Sequence, residues 1–428
     1  MSVFTRGTAS RSRVRAALGG IAIASVSALV LAGCAGGGGG EPSESAGPAE
    51  DLALTIGTAL PQTGNLAFLG PPEEAGVAYA ASEIAAATAD TGLTLDVVYG
   101  DSGDTDNKAY ETEIPRLLGE GVSAIIGAAS SGTSLQFIDQ VVGAGVIQFS
   151  PANTSDAFTT YDDNGLYFRT APSDVLQGEV LGNLIAEDGN QTLGLIVLND
   201  SYGTGLAKYV TEAFEAAGGE VVAAPTYNTG DTSFDAQLSE VLAAAPDAIA
   251  LITFDEVATI LPGLIGQFPA DKLYFVDGNL KNFGTAFAPG SLTGSKGTLP
   301  GLTIDTLGDF TDALDAFLAE EGKPALTDYS YAAESYDATI LLALGALAAG
   351  STEGEAIAAK LQEVSGGSGD GEKCTTFAEC AAIIVGGGTA DYDGISGPIT
   401  FDDVGDPTEA SIGIYQYGDD NNYVAYEG

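Results

Sequence analysis

Hydroxyl and amide side chains cluster in two short segments, and each segment follows a run of apolar residues. The first apolar run is Ala124–Gly127, and the polar residues after it are Ser130, Ser131, Gly132 and Thr133. The second polar group, after another short apolar run, is Asn153, Thr154 and Ser155. Between the two groups, apolar residues recur at helical spacing, at Leu135, Ile138, Val141 and Val142. The pattern predicts a strand, a helix and a second strand, with the two strands parallel and buried on both faces.

This arrangement favours the binding of a small polar ligand. Ligands of parallel sheets lie beyond the carboxyl ends of the strands, which is where both polar segments fall. The first segment also opens the helix, whose free N–H groups and positive dipole end favour an anion such as a carboxylate.

The composition of the chain excludes several kinds of chemistry. The 428 residues include no His, no Trp and one Met, so a Ser-His-Asp triad and a His-ligated zinc site are both excluded. Beyond Cys34 there are 10 basic and 59 acidic residues, a net charge of −49, which argues against nucleic-acid binding. With 45% hydrophobic residues the chain can form sizeable cores, and its length suits about two to three domains.

The N-terminus carries the features of a bacterial lipoprotein signal. Four arginines precede an apolar run from Ala16 to Ala32, which ends in Leu31-Ala32-Gly33-Cys34 and resembles a lipobox. We interpret residues 1–33 as a signal peptide, Cys34 as the lipidated first residue of an extracytoplasmic mature chain, and residues 34–50 as a flexible Gly-rich tether. The alternative is an uncleaved N-terminal anchor helix.

From Leu52 onward strands and helices alternate, which predicts an α/β fold. One series runs to the strand at Leu166–Thr170, and a second series begins after Ala171-Pro172-Ser173. The second series includes a predicted helix from Val257 to Gln267. Two Rossmann-like lobes with parallel central sheets are the economical interpretation. The helices after about Gly297 are assigned back to the first lobe.

Two other patterns could indicate a metal site, and in both we favour a structural explanation. Cys374 and Cys380 are the only thiols left to pair once Cys34 is lipidated, so a disulfide is expected in preference to a metal site. The acidic stretch GDSGDTDN, residues 100–107, lacks the Gly and Glu that a calcium-binding loop needs, so a solvated loop is expected.

Six segments together resemble the type I periplasmic binding proteins, most closely the leucine/isoleucine/valine-binding branch that delivers solutes to ABC transporters. In chain order they are GAASSGTS, FSPANTSDAFT, YFRTAPSD, LNDSYGTGLA, YFVDGNL and DYDGISGPITFDDVGDP. The resemblance extends from about Leu52 to Tyr417. It implies two lobes joined by three crossovers, which close on the solute by hinge bending.

The resemblance also implies roles for individual residues. Ser131 and Thr154 match the positions that hold an amino acid's carboxylate, with help from the backbone at Ala152. Asp277 matches the acidic residue that receives the ammonium group from the second lobe. The three aromatic positions around the ligand are matched by Tyr202, Phe68 and Phe254.

This chain departs from the family pattern at two places, and each implied role has a simpler alternative. Gly103 and Ser130 stand where the branch often has a disulfide, so that bond is absent. Phe68 and Phe254 stand where the family has Tyr, which makes the pocket more apolar. Without the resemblance, Ser131 and Thr154 could merely cap a helix and a turn, and the two Phe could belong to the core.

Three classes of function remain, in decreasing order of support. The first is a solute-binding lipoprotein of an ABC importer that binds a branched-chain or other apolar amino acid. The second has the same fold but binds a short amide, urea or aromatic acid, and the third is an extracytoplasmic enzyme. The first implies partner permease subunits, a monomer, a lipid anchor as the only membrane contact, and no cofactor. The expected lobes are 51–170 plus about 300–395, and 171–299 plus about 396–428.

The lipobox interpretation predicts that Cys34→Ser releases the protein from the membrane fraction into the medium while leaving ligand binding intact. The serine hydroxyl cannot take the lipid that the thiol takes, so the anchor is lost. Cell fractionation measures the release, and mass spectrometry of the parent should find the lipid on Cys34. A variant that stays in the membrane fraction, beside a parent with an unmodified Cys34, contradicts the interpretation.

Overall fold

The computed structural model describes residues 51–367 and 369–426. It confirms the predicted α/β class, because parallel strands alternate with helices over most of the described chain. The strands are β1 Leu52–Ala59, β2 Leu93–Val98, β3 Ala124–Gly127, β4 Ile147–Ser150, β5 Tyr167–Arg169, β6 Thr192–Leu198, β7 Glu220–Ala223, β8 Thr226–Tyr227, β9 Ala248–Ile252, β10 Leu273–Phe275, β11 Lys296–Pro300, β12 Glu372–Cys374, β13 Ala390–Gly394, β14 Gly397–Pro398, β15 Ile412–Tyr417 and β16 Tyr423–Ala425. The α-helices are α1 Gly70–Thr91, α2 Tyr110–Gly119, α3 Ser131–Val142, α4 Asp174–Glu187, α5 Ser201–Ala216, α6 Asp235–Ala243, α7 Val257–Ile260, α8 Gly308–Glu320, α9 Ala332–Ala349, α10 Gly354–Val364 and α11 Phe377–Val385.

The two larger sheets define two lobes. The first lobe has five parallel strands in the order β2-β1-β3-β4-β5. The second has the order β16-β15-β11-β10-β9-β6-β7, with β8 beside β6; β15 alone runs against the other strands, because it pairs antiparallel with both β11 and β16. The chain passes between the lobes after β5, after β11 and before β15, because the segments on either side of these points pack in different cores. The carboxyl ends of β3, β4 and β10 therefore face a cleft between two sheets.

Helix α9 is the central helix of the first core. It is the one helix of the described residues that is long and apolar enough to cross a membrane, but 83% of it is buried inside the protein. It packs closely on α1, since a Cβ at Gly76 would lie only 2.1 Å from the carbonyl oxygen of Ala332. Its apolar character is therefore that of a core helix.

Two predictions about this part of the fold are wrong. The helix expected from Val257 to Gln267 ends at Ile260 and continues only as a 3₁₀ turn, Leu261–Gly263. Pro262 has no N–H to donate and its ring opposes a continuing helix. The lobe boundary expected at about 395 is also too early, because Ile399 and Phe401 pack in the first core.

Cys374 and Cys380 form a disulfide in the structure, with their Cα atoms 5.3 Å apart. It joins β12 to α11 at the edge of the first core, where Cys380 is fully buried. The bond closes a loop of only six residues' separation. A loop this short limits the entropy that the bond removes from the unfolded chain.

We expect the double variant Cys374→Ala/Cys380→Ala to lose about 2 to 3 kcal/mol of unfolding free energy, as loop-closure entropy predicts. Urea titration of the variant and the parent measures the loss, and reduction of the parent should reproduce most of it. Two free thiols in natively exported protein would rule out the bond.

Two buried carboxyl groups lie where α1 and α9 begin. Glu73 is fully buried, and within the described chain neither of its carboxylate oxygens has a hydrogen-bond partner. Burial raises the pKa of Glu334 to about 8 and also raises the pKa of Glu73, which the charge of Glu334 raises further. The backbone oxygen of Glu334 accepts a hydrogen bond from Thr170, so this acid sits beside the first passage between the lobes.

Because the folded-state pKa of Glu334 lies above its unfolded value, the folded protein holds an extra proton between about pH 5 and 8. Its contribution to stability is therefore present at low pH and is lost as the pH rises through this window. We expect Glu334→Gln to flatten the fall in unfolding free energy by up to about 1.4 kcal/mol per pH unit. Urea titrations at four pH values measure the slope, with exposed Glu321→Gln as the control. If the unfolding free energy of Glu334→Gln falls with pH as steeply as that of the parent, Glu334 is not the group with the raised pKa.

Candidate functional site

The structure brings the two polar segments of the sequence together at the start of α3. Ser130 caps this helix by accepting a hydrogen bond from the N–H of Thr133 at 3.3 Å. Ser131, only 2% exposed, accepts a hydrogen bond on its Oγ from the N–H of Ser155 at 3.3 Å. The helix start and the segment after β4 therefore form one surface at the edge of the sheet.

Arg169 fixes the segment after β4 in place. Its side chain is fully buried and donates from Nη1 to the carbonyl oxygens of Asn153 and Ser155, at 3.3 and 2.8 Å. The same guanidinium pairs with the carboxylate of Asp406 through two bonds, of 2.6 and 2.8 Å. A buried guanidinium is stable only when its charge and its donors are all engaged. Arg169 therefore ties this segment to the last passage between the lobes.

Thr154 and Ala152 hold different positions in this segment. Ala152 lines the cleft, and its N–H donates to Ser150 Oγ at 3.2 Å. Thr154 is 1% exposed, and its hydroxyl has no partner of good geometry among the described residues. The backbone oxygen of Thr154 accepts from the N–H of Asp174 at 2.7 Å. Thr154 is not among the residues that line the cavity, and its hydroxyl acts on Asp174; the Ala152 N–H must exchange partners to reach a ligand.

Asp174 is a second buried acid, and it ends the segment YFRTAPSD, whose residues the resemblance gave no role. Burial and the nearby charge of Asp277 raise its pKa well above the usual range, while the Thr154 hydroxyl lowers it. Neither of its carboxyl oxygens completes a hydrogen bond with any residue that the structure describes. Two carboxyl groups at this depth cannot both be charged without a compensating cation.

Asp277 faces the start of α3 from the second lobe, directly after β10. Its Oδ1 accepts from Tyr202 at 2.7 Å and from Gln177 at 3.0 Å, and its Oδ2 accepts from Tyr331 at 2.8 Å. Burial raises the pKa of Asp277, and these three donors oppose the rise. A carboxylate has about four lone-pair positions, so three bonds leave one position on Oδ2 for a further donor.

Two of the three predicted aromatic residues lie at the cleft. The rings of Tyr202 and Phe254 are stacked, with centroids 5.2 Å apart. Gly278 allows this packing, since a Cβ there would lie 2.6 Å from the Phe254 ring. The structure places Phe68 elsewhere, in an outer groove beside Lys281, whose Nζ lies 5.4 Å from the Phe68 ring centroid. Phe68 is partly buried there and packs against the second core.

The lobes are closed over a small cavity. About 10 Å³ of space remains inside it, room for about one water molecule, so an amino acid enters only when the lobes part. Across the rim, Asn65 Nδ2 donates to Glu256 at 2.6 Å, and Ser155 Oγ donates to the Ser201 carbonyl at 3.1 Å. The residues that line the cavity are Leu66, Leu69, Ala129, Ser130, Ser131, Ala152, Tyr202, Phe254, Asp277, Gly278 and Tyr331.

The acidic stretch at residues 100–107 is not the solvated loop that the sequence suggests. Asp101 accepts the N–H groups of Gln62 and Thr63, and the buried Asp104 accepts the N–H of Asn65 at 3.0 Å. These bonds hold the loop that carries Leu66 and Leu69 to the cavity. Within the described part of the chain, no three acidic, His or Cys residues cluster as a metal site.

Comparisons with known proteins agree with this geometry. The family model described as periplasmic binding protein matches residues 53–379. The leucine-, isoleucine-, valine-, threonine- and alanine-binding protein of Pseudomonas aeruginosa is 27% identical over 312 residues, 72% of this chain and 82% of that one.

Solved structures with the same fold include the branched-chain amino acid transporter substrate binding protein LivJ of Streptococcus pneumoniae, in complex with isoleucine. It is 23% identical, with a TM-score of 0.67 over 87% of this chain and 99% of that one. A solute binding protein of an ABC transporter from Rhodopseudomonas palustris, in complex with benzoate, is 19% identical, with a TM-score of 0.66 over 87% of this chain and 95% of that one.

The two lobes and the cleft between them define a solute-binding protein of the two-lobed, closing kind. The chain belongs to the periplasmic binding protein family, in its type I fold and its leucine/isoleucine/valine-binding branch, which confirms the resemblance. Members of this family are solute-binding proteins that work outside the cytoplasm with ABC transporter permeases.

Proposed function

We propose that this protein is a lipid-anchored receptor that binds a small apolar amino acid, of the branched-chain kind, between its two lobes. It would pass this solute to the permease subunits of an ABC importer. Residues 1–33 would be removed, Cys34 would carry the lipid, and residues 34–50 would be the tether from which a monomer works. Cys34 and the tether lie outside the described residues, so the sequence alone supports the anchor.

The observation that carries the proposal is the place of Asp277. Asp277 lines the cavity from the second lobe with one lone-pair position left for a further donor, and Ser130 and Ser131 at the start of α3 line it from the first lobe. An amino acid has one cationic and one anionic group a few bonds apart, which matches one acid opposite one helix start. The apolar wall formed by Leu66, Leu69 and Phe254 suits an aliphatic side chain.

Binding would begin on the open first lobe. The solute carboxylate docks at Ser131 and Thr154, where hydroxyls and a helix start favour an anion. Closure then brings Asp277 and Tyr202 to the ammonium group. A buried ammonium without a partner costs several kcal/mol, so the closed state is favoured only when ligand and Asp277 meet.

An aromatic acid, a short amide or urea is the alternative class of ligand. Two observations support this alternative. One solved relative binds benzoate, and Phe254 makes the wall more apolar than the Tyr of the family does. A ligand without an ammonium group would leave Asp277 facing no cation in a site that already buries Asp174. Two uncompensated acids favour the amino acid.

We expect Asp277→Ala to weaken the binding of leucine or isoleucine by about 2 to 5 kcal/mol, the range for removing one partner of a buried charge pair. Phe254→Ala should cost less and mainly blur the preference among side chains, because both charged ends of the ligand stay paired. Calorimetry with leucine, isoleucine, leucinamide, 4-methylpentanoate and benzoate measures both effects.

The ligand panel separates the two ligand classes. Leucine should bind far more tightly than 4-methylpentanoate, which lacks only the ammonium group. If Asp277→Ala binds leucine as tightly as the parent, or if the parent prefers benzoate or 4-methylpentanoate, the amino acid assignment fails and the alternative replaces it.

A further inference from the structure

A polar gap at the rim of the cleft lies between the two lobes and shares no lining residue with the solute cavity. Its volume is about 410 Å³. Gly132 and Gln136 of α3 line it from the first lobe, and Asn199 and Asp200, directly after β6, line it from the second. The next residue, Ser201, makes the rim contact with Ser155. The surroundings of Asp200 therefore depend on whether the lobes are open or closed.

The carboxyl group of Asp200 is covered by the first lobe without receiving a donor from it. Its Oδ1 accepts a hydrogen bond from the N–H of Gly203 at 2.7 Å and caps α5, a bond made within the second lobe. On the other side lies Gly132, where a Cβ would be only 2.7 Å from Oδ2 of Asp200. Closure thus replaces water beside Oδ2 with the backbone of a glycine, which disfavours the charged form of the acid.

The second lobe offers Asp200 no compensating cation. Glu256 lies near enough for its charge to oppose the ionisation of Asp200, and the hydroxyl of Tyr227 donates to Glu256 Oε2 at 3.2 Å. On the helix that Asp200 caps, Lys208 pairs with Asp156 at 3.8 Å. Among the described ion pairs, none includes Asp200.

The first lobe offers no counter-charge either. The α3 residues that line the gap are not titratable, and the acid of the adjoining loop, Asp106, lies against Gly230, where a Cβ would be 3.0 Å from its Oδ1. Glu256 differs from Asp200 in this respect, because it accepts a hydrogen bond across the rim from Asn65 at 2.6 Å. Closure therefore compensates Glu256 but leaves Asp200 uncompensated.

The direction of the pH effect follows from these contacts. Burial raises the pKa of Asp200 from 3.8 to about 6 in the closed structure, although the N–H groups of Gly203 and Tyr202 lower it. With the lobes apart, water returns to Oδ2 and the bond from Gly203 remains, so the pKa there lies at or below its ordinary value. The closed state therefore holds a proton that the open state releases between about pH 4 and 6. This advantage of the closed state is greatest at low pH and is lost as the pH rises through about 6.

We propose that Asp200 makes the closure of the lobes sensitive to pH, so that the protein holds its solute more tightly in mildly acidic surroundings. Asp200 touches the opposite lobe and does not line the solute cavity, so it acts through closure and not through contact with the solute. Histidine is the usual residue for such a switch, and this chain has none. A carboxyl group covered by the other lobe performs the same role at a lower pH.

Calorimetry with leucine at several pH values tests the switch, and this choice of ligand rests on the proposed function. Between pH 7.5 and 5 we expect the affinity to rise about tenfold more in the parent than in Asp200→Asn. At pH 6, titrations in two buffers of different ionisation enthalpy should find that the parent takes up about half a proton more than the variant. Asparagine still caps α5 and imitates the neutral acid, so the variant should bind leucine more tightly than the parent at pH 7.5.

Two further variants control for effects on structure. Asp200→Ser also keeps a capping side chain without a titratable group, so it should show the pH profile of Asp200→Asn. Glu215→Gln removes an exposed acid from the same helix and should keep the profile of the parent. A parent and an Asp200→Asn variant whose affinities change equally with pH would overturn the proposal.

Small-angle scattering of the protein without ligand separates this proposal from the choice of solute. The parent should become more compact between pH 7.5 and 5, and Asp200→Asn should change less. If leucine does not bind, the amino acid assignment fails and the scattering alone decides. Equal changes in the parent and in Asp200→Asn would then overturn the switch as well.

Discussion

The need to compensate a buried carboxylate governs the centre of this protein. Asp277 is held by Tyr202 and Gln177 from its own lobe and by Tyr331 from the other, so the same charge that would select a ligand also joins the lobes. Opening the cleft removes one of these three bonds and lets water replace it. Without a ligand, the closed state is held by the bond from Tyr331 to Asp277. With a ligand, an ammonium group would add a second bond to Asp277, which makes the closed state more favourable.

The small difference in free energy between the open and closed states matters because each lobe is rigid. Glycines contribute to this rigidity by letting neighbouring helices pack closely. In the second lobe α4 and α5 lie so close that a Cβ at Gly178 would be 2.4 Å from Tyr209 Cβ, and one at Gly182 would be 2.7 Å from Ala213 Cβ. In the first lobe Gly76 plays the same part between α1 and α9. Layers packed this tightly move as units, so the motion concentrates in the short passages between the lobes.

The sequence predicted the parts of the site that depend on local pattern. Ser131, Ala152 and Asp277 follow short apolar strands, and the position after such a strand is visible in the sequence. Tyr331, Gln177 and Asp174 could not be found in this way. Asp174 and Gln177 lie on the helix that follows the first passage between the lobes, and Tyr331 lies at the start of α9. Sequence spacing does not show which helix start meets the end of which strand. The structure places Phe68 outside the cavity for a related reason. The direction of a loop side chain depends on tertiary hydrogen bonds, such as that from the Asn65 N–H to Asp104. Pro262 ends the predicted helix early, although the apolar periodicity continues past it.

The ion pair between Arg169 and Asp406 constrains the order in which the chain can fold during export. The two residues are 237 positions apart, and the bond between them holds the segment that carries Thr154. A chain that emerges from the export channel with its N-terminus first has its five-stranded sheet complete at β5, while Arg169 still lacks its partner. A buried guanidinium without its carboxylate costs several kcal/mol, so the ligand-facing segment cannot settle at that stage. On the function proposed above, nearly the whole polypeptide would have to be translocated before the segment proposed to hold the solute carboxylate is fixed, so a nascent chain would capture no solute while its C-terminal strands are still inside the cell.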